Sequence, residues 1–397
     1  MKIGSFTLRL LPIFVLILLL SQVTASGTTA LASEEVLRTS SHVSLTPWSQ
    51  QPSVPLVDYH GGSWLLDGTT CASAASCYTF GSYLDTSNQS KSVGRPFVSH
   101  FDGSSWTNET VPALDESDTS QNNIGGISCP SSSCYAIAET QGGVLGARSY
   151  VVSRELDGWS IVPTPLIQSD AWLTGISCAS PEFCMATGAA GQTRTAAALM
   201  FNGTTWIPLI VKHAPMWSGL FGVSCPTTNW CVGVGWWSDG VDQRLFTATW
   251  NGRQWKAWPS TGSSSRKGSW GEVSCPSRAS CVAVGTSGNG NQRATIGILG
   301  SNDWTVGSLA KHGTTSGLGS VSCSSSKKCV AAGYSYGATG THPMIVRRTA
   351  HGWVDAIDAN SYASNRAFSA ACPTTNWCTA GITQDTHHKP IVLAGSP

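Results

Sequence analysis

Residues 220–235 read LFGVSCPTTNWCVGVG, and this pair of short apolar stretches around a cysteine-bounded turn decides the fold. The apolar stretches have the length and composition of β-strands, and the residues between the cysteines are turn formers. Facing positions in an antiparallel hairpin lie close enough for a disulfide, so we expect Cys225 and Cys231 to be bonded across it. The segment therefore predicts a β-hairpin stapled at its turn.

The same pattern recurs along the chain. All 14 cysteines fall into close pairs with none left over, and the first members of successive pairs are 47 to 58 residues apart. The pairs are Cys71 and Cys77, Cys129 and Cys134, Cys178 and Cys184, Cys225 and Cys231, Cys275 and Cys281, Cys323 and Cys329, and Cys372 and Cys378. A repeat of this period is typical of propellers, solenoids or arrays. Zinc binding is the weaker alternative, because the spacing exceeds C-x2-C and no histidine recurs with each pair.

Each unit continues with a third apolar stretch, a tight turn and a tryptophan that opens a fourth strand. That tryptophan recurs at Trp106, Trp159, Trp206, Trp255, Trp304 and Trp353. The last unit lacks a fourth strand, and Trp48, which precedes Cys71 by the same 23 residues that separate Trp106 from Cys129, can supply it. The sequence therefore predicts an all-β, seven-bladed β-propeller with one short-range disulfide per blade and closure by strands from both termini.

The N-terminal segment predicts export. Lys2 and Arg9 precede an apolar run at residues 10–20, and Val23 and Ala25 are spaced as a signal-peptidase site. We expect a signal peptide at 1–25, a flexible tether at 26–44 and the propeller at 45–397, with an uncleaved anchor as the alternative. Together with the paired cysteines, this predicts a secreted or cell-surface protein.

Charge excludes several classes of partner. The formal net charge is +1 and only 11% of residues are charged, which does not match a nucleic-acid binder or a protein that binds acidic membranes. Phosphate-binding loops and metalloprotease motifs are absent from the sequence. We expect a monomer without a cofactor or a metal.

The motifs L-x-G-V-S-C, C-V-x-V-G and N-G-x-x-W resemble those of Asp-box propellers, which include bacterial neuraminidase (BNR) repeats, sortilin-type domains and photosystem II assembly-factor-like repeats. The best match is the turn before the tryptophan, as in FDGSSW at 101–106 and WNGRQW at 250–255. The resemblance covers about residues 45–397 and implies the fold. Sialidases of that superfamily have an Arg-Ile-Pro-type motif, which this sequence lacks, so their activity does not transfer.

Tryptophans outside the repeat are the candidate ligand-binding residues. In such propellers the connections between blades share one face with the loops joining the second and third strands, and this is the usual binding face. We expect the following tryptophans near it: Trp64, Trp172, Trp217, Trp236, Trp237 and Trp270. Their indole rings suit stacking on sugars, which favours a glycan or an extracellular protein as partner. The structural alternative is that they fill space between blades.

Charged residues supply the remaining candidates. A basic residue precedes the blade tryptophan at Arg95, Arg148, Arg194, Arg244, Arg293, His342 and Lys389, either as a ring for anionic groups or as a tie between strands. Arg244 and Arg293 are taken as ligand-binding candidates. Glu272 stands where other blades carry glycine or serine and predicts an acid in the axial channel, with Asp239 and Asp242 as its possible catalytic partners. A non-catalytic recognition module is preferred, and a sialidase-like glycoside hydrolase and a structural surface scaffold are the alternatives.

Overall fold

The computed structural model describes residues 48–55, 64–85, 93–114, 120–142, 147–155, 158–165, 171–258, 266–288, 290–300, 303–309, 312–362, 365–384 and 390–397. These residues form a β-propeller of seven four-stranded antiparallel blades, as predicted. The expected signal peptide, the expected tether and Lys389 lie outside the described residues. Within the described ranges, no helix has the length and apolar character needed to cross a membrane.

The strands follow the chain blade by blade. Blade 1 contains β2 (Trp64–Ser73), β3 (Ser76–Asp85), β4 (Val93–Phe101) and β5 (Trp106–Glu109). Blade 2 contains β6 (Gln121–Ser128), β7 (Tyr135–Gln141), β8 (Arg148–Glu155) and β9 (Gly158–Val162). Blade 3 contains β10 (Trp172–Ser180), β11 (Phe183–Ala190), β12 (Thr195–Phe201) and β13 (Trp206–Lys212). Blade 4 contains β14 (Ser218–Thr227), β15 (Trp230–Ser238), β16 (Gln243–Trp250) and β17 (Trp255–Ala257).

The remaining blades repeat this order. Blade 5 contains β18 (Gly268–Ser277), β19 (Ser280–Ser287), β20 (Arg293–Leu299) and β21 (Trp304–Ser308). Blade 6 contains β22 (Thr315–Ser325), β23 (Lys328–Gly337), β24 (Gly340–Thr349) and β25 (Gly352–Asp355), and a 3-10 turn at Ala359–Tyr362 follows it. Blade 7 contains β26 (Asn365–Ala371), β27 (Cys378–Gln384), β28 (Pro390–Gly395) and the N-terminal strand β1 (Ser49–Gln50).

The ring closes by strands from both ends of the chain. Ser49 pairs with Ala394 and Gln50 with Leu393 in antiparallel register, so β1 is the outermost strand of blade 7. Trp48 is buried in the cluster that joins blades 6 and 7. The predicted closure is confirmed, and it covers an edge that β28 would otherwise expose.

Disulfides staple the innermost hairpin of each blade. All seven predicted pairs are bonded, and their Cα atoms lie 3.9 to 4.2 Å apart. They stand at the end of the hairpin formed by the first two strands, as the register of Cys178 opposite Cys184 shows. Bonds across such short loops contribute about 2 kcal/mol each in the chain-entropy model.

Serines join adjacent blades next to these disulfides. The residue before the first cysteine of a blade accepts a hydrogen bond from the first cysteine N–H of the next blade, at 2.9 to 3.0 Å. The five serines are Ser128, Ser177, Ser224, Ser274 and Ser322. Thr70 and Ala371 occupy this position in blades 1 and 7. The repeated Ser-Cys dipeptide is therefore an inter-blade link as well as part of a strand.

The recurring tryptophans form the core between blades. Trp106, Trp159, Trp206, Trp255, Trp304 and Trp353 are all buried. Two of these rings contact an aromatic ring of the preceding blade: Trp159 lies 6.2 Å from Tyr78, and Trp206 lies 5.9 Å from Tyr135. Trp255 donates its indole N–H to Met185 Sδ of blade 3. These rings therefore fill the space between neighbouring blades. The residues at the two ends of each blade are not part of this repeated core.

In blades 1, 3 and 4 the turn before the recurring tryptophan is held by its first polar side chain. Oδ1 of Asn202 accepts the N–H groups of Thr204 and Thr205, at 3.0 and 2.9 Å. Asp102 and Asn251 make the same pair of contacts in blades 1 and 4. The best-matched motif of the sequence thus builds a turn.

Candidate functional site

The two faces of the ring differ in what they carry. The disulfide turns lie on one face, and the loops between the second and third strands lie on the other together with the starts of the innermost strands. We call the second one the upper face. Trp172 begins β10 opposite Ala189, and Trp237 pairs with both Ser218 and Arg244, so these side chains stand at the upper face as expected.

A cleft of about 490 Å³ opens on the upper face between blades 2 and 3. Its lining includes Glu139, Arg148, Trp172, Gln192 and Arg194. The end of β7 supplies the acid, the start of β10 supplies the indole, and the β11–β12 connection supplies Arg194. An apolar ring, an acid and two exposed guanidinium groups therefore meet in one concavity.

Glu139 lies at the base of this cleft. Its side chain is 7% exposed, and Oε2 accepts a hydrogen bond from Trp172 Nε1 at 3.1 Å. A methyl group at Gly125 would come 3.0 Å from Oε1, so the glycine leaves room for the carboxylate. Burial raises the pKa of Glu139 to about 7, and the Trp172 hydrogen bond opposes that rise.

A second acid, Asp67, connects this region to the axial channel. Its side chain is hydrogen-bonded to Asn123, which stands directly opposite Glu139 in the β6–β7 register. Burial raises the pKa of Asp67 to about 7, the Asn123 hydrogen bond lowers it, and the charge of Glu139 raises it further. The structure thus places Asp67 and Glu139 on either side of one amide.

Trp172 and Arg194 form the wall of the cleft. The Arg194 guanidinium carbon lies 5.5 Å from the centroid of the Trp172 ring. Arg148, at the start of β8, is exposed and lines the opposite side. Two of the seven predicted basic positions therefore border this cleft.

Backbone strain marks the same part of the upper face. In the described part of the chain the non-glycine residues with positive φ are Arg194 at 43°, His213 at 62° and Trp217 at 57°. The Trp217 N–H donates to Thr193 O at 3.0 Å, and its carbonyl accepts from Ser238 N at 2.8 Å, so it bridges blades 3 and 4. Trp217 is 49% exposed and follows the exposed Met216. Strained, exposed residues of this kind cluster at functional sites.

Blade 4 carries the other predicted tryptophans. Trp236 packs on Gly219 and lies 6.4 Å from Phe221, and Trp237 lies 6.0 Å from the Arg244 guanidinium. Both indoles are partly exposed. Phe221 also lies 6.1 Å from Trp172, so a row of aromatic contacts runs from Trp172 through Phe221 to Trp236.

Asp239 and Asp242 are paired with cations and do not line the channel with Glu272. Asp239 binds Arg244 at 2.8 Å, and Asp242 binds Lys267 at 2.8 Å and Arg244 at 3.5 Å. The N–H groups of the turn, Arg244 and its charge hold the pKa of Asp239 well below its usual range. This corrects the expectation that either aspartate acts with Glu272. Both carboxylates instead form ion pairs with Arg244, and Asp242 also pairs with Lys267.

Glu272 does line the axial channel, a space of about 320 Å³ bordered by the innermost strands. However, its Oε2 accepts the Val321 N–H at 2.9 Å, and Ser320 also hydrogen-bonds it. Burial raises the pKa of this carboxyl, against both hydrogen bonds. Ser320 makes the equivalent contact with Ala370 N at 3.0 Å, so Glu272 is a link between blades 5 and 6.

Trp64, Trp270 and Arg293 do not join the cleft. Trp270 is 1% exposed and lies 5.8 Å from Trp304, which corrects the expectation that its ring faces a ligand. Trp64 is partly exposed and packs on Tyr83 and Phe97 in blade 1. Arg293 donates to Gly313 O at 2.7 Å. It therefore ties blade 5 to the connection that leads into blade 6, whereas Arg95 pairs with Asp85 within blade 1.

The two acids near the cleft were missed by sequence reasoning, although a signal for each exists. Five residues after the second cysteine the other blades carry Ser82, Ala189, Trp236, Thr286, Tyr334 and Thr383, where blade 2 carries Glu139. Four residues before the first cysteine the others carry Gly125, Thr174, Phe221, Gly271, Gly319 and Phe368, where blade 1 carries Asp67. Aligning every position of the repeat would have found both. No group of three or more histidine, cysteine, aspartate or glutamate side chains suited to a metal ion occurs in the described segments.

Comparisons with known proteins support the fold. No protein-family model matches the sequence, and a comparison with curated proteins finds no match. Among solved structures, YCF48 bound to D1 peptide is similar with a TM-score of 0.55 at 13% identity, over 91% of this chain and 99% of that one. A PL25 ulvan lyase has a TM-score of 0.55 at 8% identity, over 87% of this chain and 96% of that one.

The same lyase family bound to -[GlcA(1-4)Rha3S]- gives a TM-score of 0.52 at 8% identity, over 87% of this chain and 94% of that one. At these identities the likenesses establish a propeller fold alone.

Proposed function

We propose that this protein is an extracellular recognition module that binds a segment of a partner protein on the upper face of blades 2 to 4. The observation that carries the proposal is that Arg194, which lies over the Trp172 ring, stands in the loop to which the backbone at the exposed Trp217 is hydrogen-bonded, with the exposed Met216 beside it. Tryptophan, arginine and methionine are enriched at protein interfaces, and tryptophan and arginine dominate their binding energy. The seven disulfides support action in an oxidising compartment.

The backbone of this surface supports recognition over catalysis. Arg194 and Trp217 are held at positive φ by hydrogen bonds to neighbouring loops, so their side chains are presented without large reorganisation. The acids that the sequence offers as catalytic candidates have other partners: Glu272 links two blades, and Asp239 is paired with Arg244. These contacts favour recognition over the hydrolase alternative, which needs two carboxyl groups facing the substrate.

A glycan is the second candidate ligand, and the half-exposed indole of Trp217 favours it, because an exposed ring can stack on a sugar. The experiment probes the secreted chain against a peptide display library and a glycan array in parallel. Substitution Trp217→Ala is expected to weaken binding about tenfold or more, by removal of an interface aromatic. The matched control is Tyr336→Ala, an exposed aromatic at the upper end of blade 6, which should leave binding unchanged.

Peptide binding lost in the Trp217 variant supports the proposal. If glycan binding is lost in the same variant, the surface is correct but the ligand is a glycan and not a segment of a protein. Binding that both variants retain, or that Tyr336→Ala abolishes, contradicts the assignment of the surface.

A further inference from the structure

Two glutamates of this propeller each accept an indole N–H, but only one of them has a cation. Glu109 accepts Trp159 Nε1 at 2.8 Å and is also bound by Arg154, with contacts of 2.7 to 3.1 Å. Glu139 accepts Trp172 Nε1 at 3.1 Å and has no ion pair within the described residues. A buried carboxylate with a single neutral donor is poorly compensated, whereas the Glu109 arrangement is complete.

Several polar atoms around Glu139 also lack partners. In the described structure, Oδ2 of Asp67, Oδ1 of Asn123 and Oγ1 of Thr140 are buried without a hydrogen bond. Thr140 lines the cleft together with Glu139 and is 1% exposed. Buried polar atoms normally have partners, and the two acceptors that line the cleft, the Glu139 carboxylate and Thr140 Oγ1, suit a donor-rich, positively charged group.

We propose that Glu139 binds the ammonium group of a lysine side chain of the ligand, inserted into the cleft between blades 2 and 3. The inference rests on the proposed function, because it names the group by which a partner polypeptide is recognised. An ammonium has three donors and no acceptor, which matches a site made of acceptors. Its four-carbon stem would pack along the Trp172 ring, where apolar contact and cation–π attraction act together.

Arg148 and Arg194 do not oppose this binding in the way their charge alone implies. Both side chains are exposed, so water and salt screen their repulsion of an ammonium group at the base of the cleft. The guanidinium of Arg194 lies over the Trp172 ring, and the N–H groups of both arginines can donate to carbonyl or carboxylate oxygens of the same peptide. The cleft thus offers an acceptor-lined base for the lysine tip and a donor-lined rim for the peptide backbone.

The experiment uses the full secreted chain labelled with fluorotryptophan and observed by fluorine NMR. Trp172→Phe identifies the Trp172 resonance among the 17 tryptophans. The probes are Nα-acetyl-lysine methylamide and its uncharged counterpart Nα-acetyl-norleucine methylamide. We expect the lysine probe to shift the Trp172 resonance at a concentration about tenfold or more below that needed for norleucine.

Variants define the role of the carboxylate. Glu139→Gln keeps an acceptor for the Trp172 N–H but removes the charge, and it should abolish the preference for lysine. Asp67→Asn should reduce it by a smaller factor, because Asp67 acts through Asn123. Glu182→Gln, an exposed acid at the disulfide turn of blade 3, is the matched control and should leave the preference unchanged.

Equal shifts by the two probes, or an unchanged preference in Glu139→Gln, would overturn the inference. These results are distinguishable from a failure of the proposed function. If Trp217→Ala still abolishes partner binding while lysine shows no preference, only the lysine subsite is wrong. If lysine is preferred but no partner binds the Trp217 surface, the subsite stands and the wider recognition surface does not.

Discussion

Glu139 links the stability of the propeller to pH at the scale of a single residue. Its pKa rises from 4.5, the value for a free side chain, to about 7 in the folded protein. Between these values the folded state holds more protons at Glu139 than the unfolded chain does, so the contribution of this residue to stability is greatest in acid and falls as pH rises through that range. Asp67, with a pKa of about 7, adds to the same trend.

The first prediction concerns Glu139→Gln. Removing the ionisable group should stabilise the protein at about pH 8 by up to about 3 kcal/mol, with little change at about pH 4. The measurement is chemical denaturation across that pH range, with Glu182→Gln as the control. An identical pH dependence in the wild type and the Glu139 variant would show that the carboxyl is not buried as described.

Glu272 gives a second prediction at this scale. Glu272→Ala leaves the Val321 N–H without its acceptor and should destabilise the protein by about 1–2 kcal/mol, whereas Glu272→Gln retains an acceptor and should be milder. Denaturant unfolding of the two variants measures the difference. Equal stability of both variants with the wild type, together with a loss of ligand binding, would favour a functional role for this acid.

At the scale of the element, the innermost strands act as a ring of linked pieces. Ser224 on β14 accepts the Cys275 N–H of β18 at 3.0 Å. Ser224→Ala should therefore destabilise the protein by about 1–2 kcal/mol, because a partly buried N–H loses its partner. Thermal unfolding measures this effect. The control is Ser326→Ala in an exposed turn, which should leave the unfolding temperature unchanged. An unchanged unfolding temperature for Ser224→Ala would show that this serine does not stabilise the contact between the blades.

Element identity could be predicted because each signal repeats. The cysteine spacing, the turn before the tryptophan and the apolar stretches each occur in several units, so errors in one blade are corrected by the others. Single-blade features escaped for the opposite reason. Glu139 and Asp67 each occur once, and only the contacts of β6 with β2 and β7 show that the two acids are neighbours.

At the scale of the whole molecule, closure of the propeller depends on the two paired residues of β1 and on the indole ring of Trp48. Trp48 is buried between blades, and β1 covers the edge of β28. A chain beginning at residue 51 should unfold at a lower temperature and associate through the exposed edge, whereas a chain beginning at residue 45 keeps β1 and should unfold as the intact propeller does. Calorimetry and light scattering measure both. Equal unfolding temperatures would show that closure does not need β1.

The position of the tryptophans was only partly predictable from the sequence. Trp172, Trp217 and Trp237 reach the upper face, because the number of residues that separates each of them from a cysteine of its blade fixes its place along the hairpin. The burial of Trp270 could not be foreseen, since it depends on how Trp304 and the neighbouring blade fill the space beside it. Sequence spacing thus determines the end of a strand, while packing determines exposure.

Amide hydrogen exchange with and without the selected ligand tests the recognition surface most directly. We predict that ligand slows exchange in the segments 189–195 and 213–218 of the upper face and leaves the disulfide turn at 225–231 unchanged. Protection confined to the disulfide turns, or spread evenly over all blades, would contradict the assignment of recognition to the upper face of blades 2 to 4.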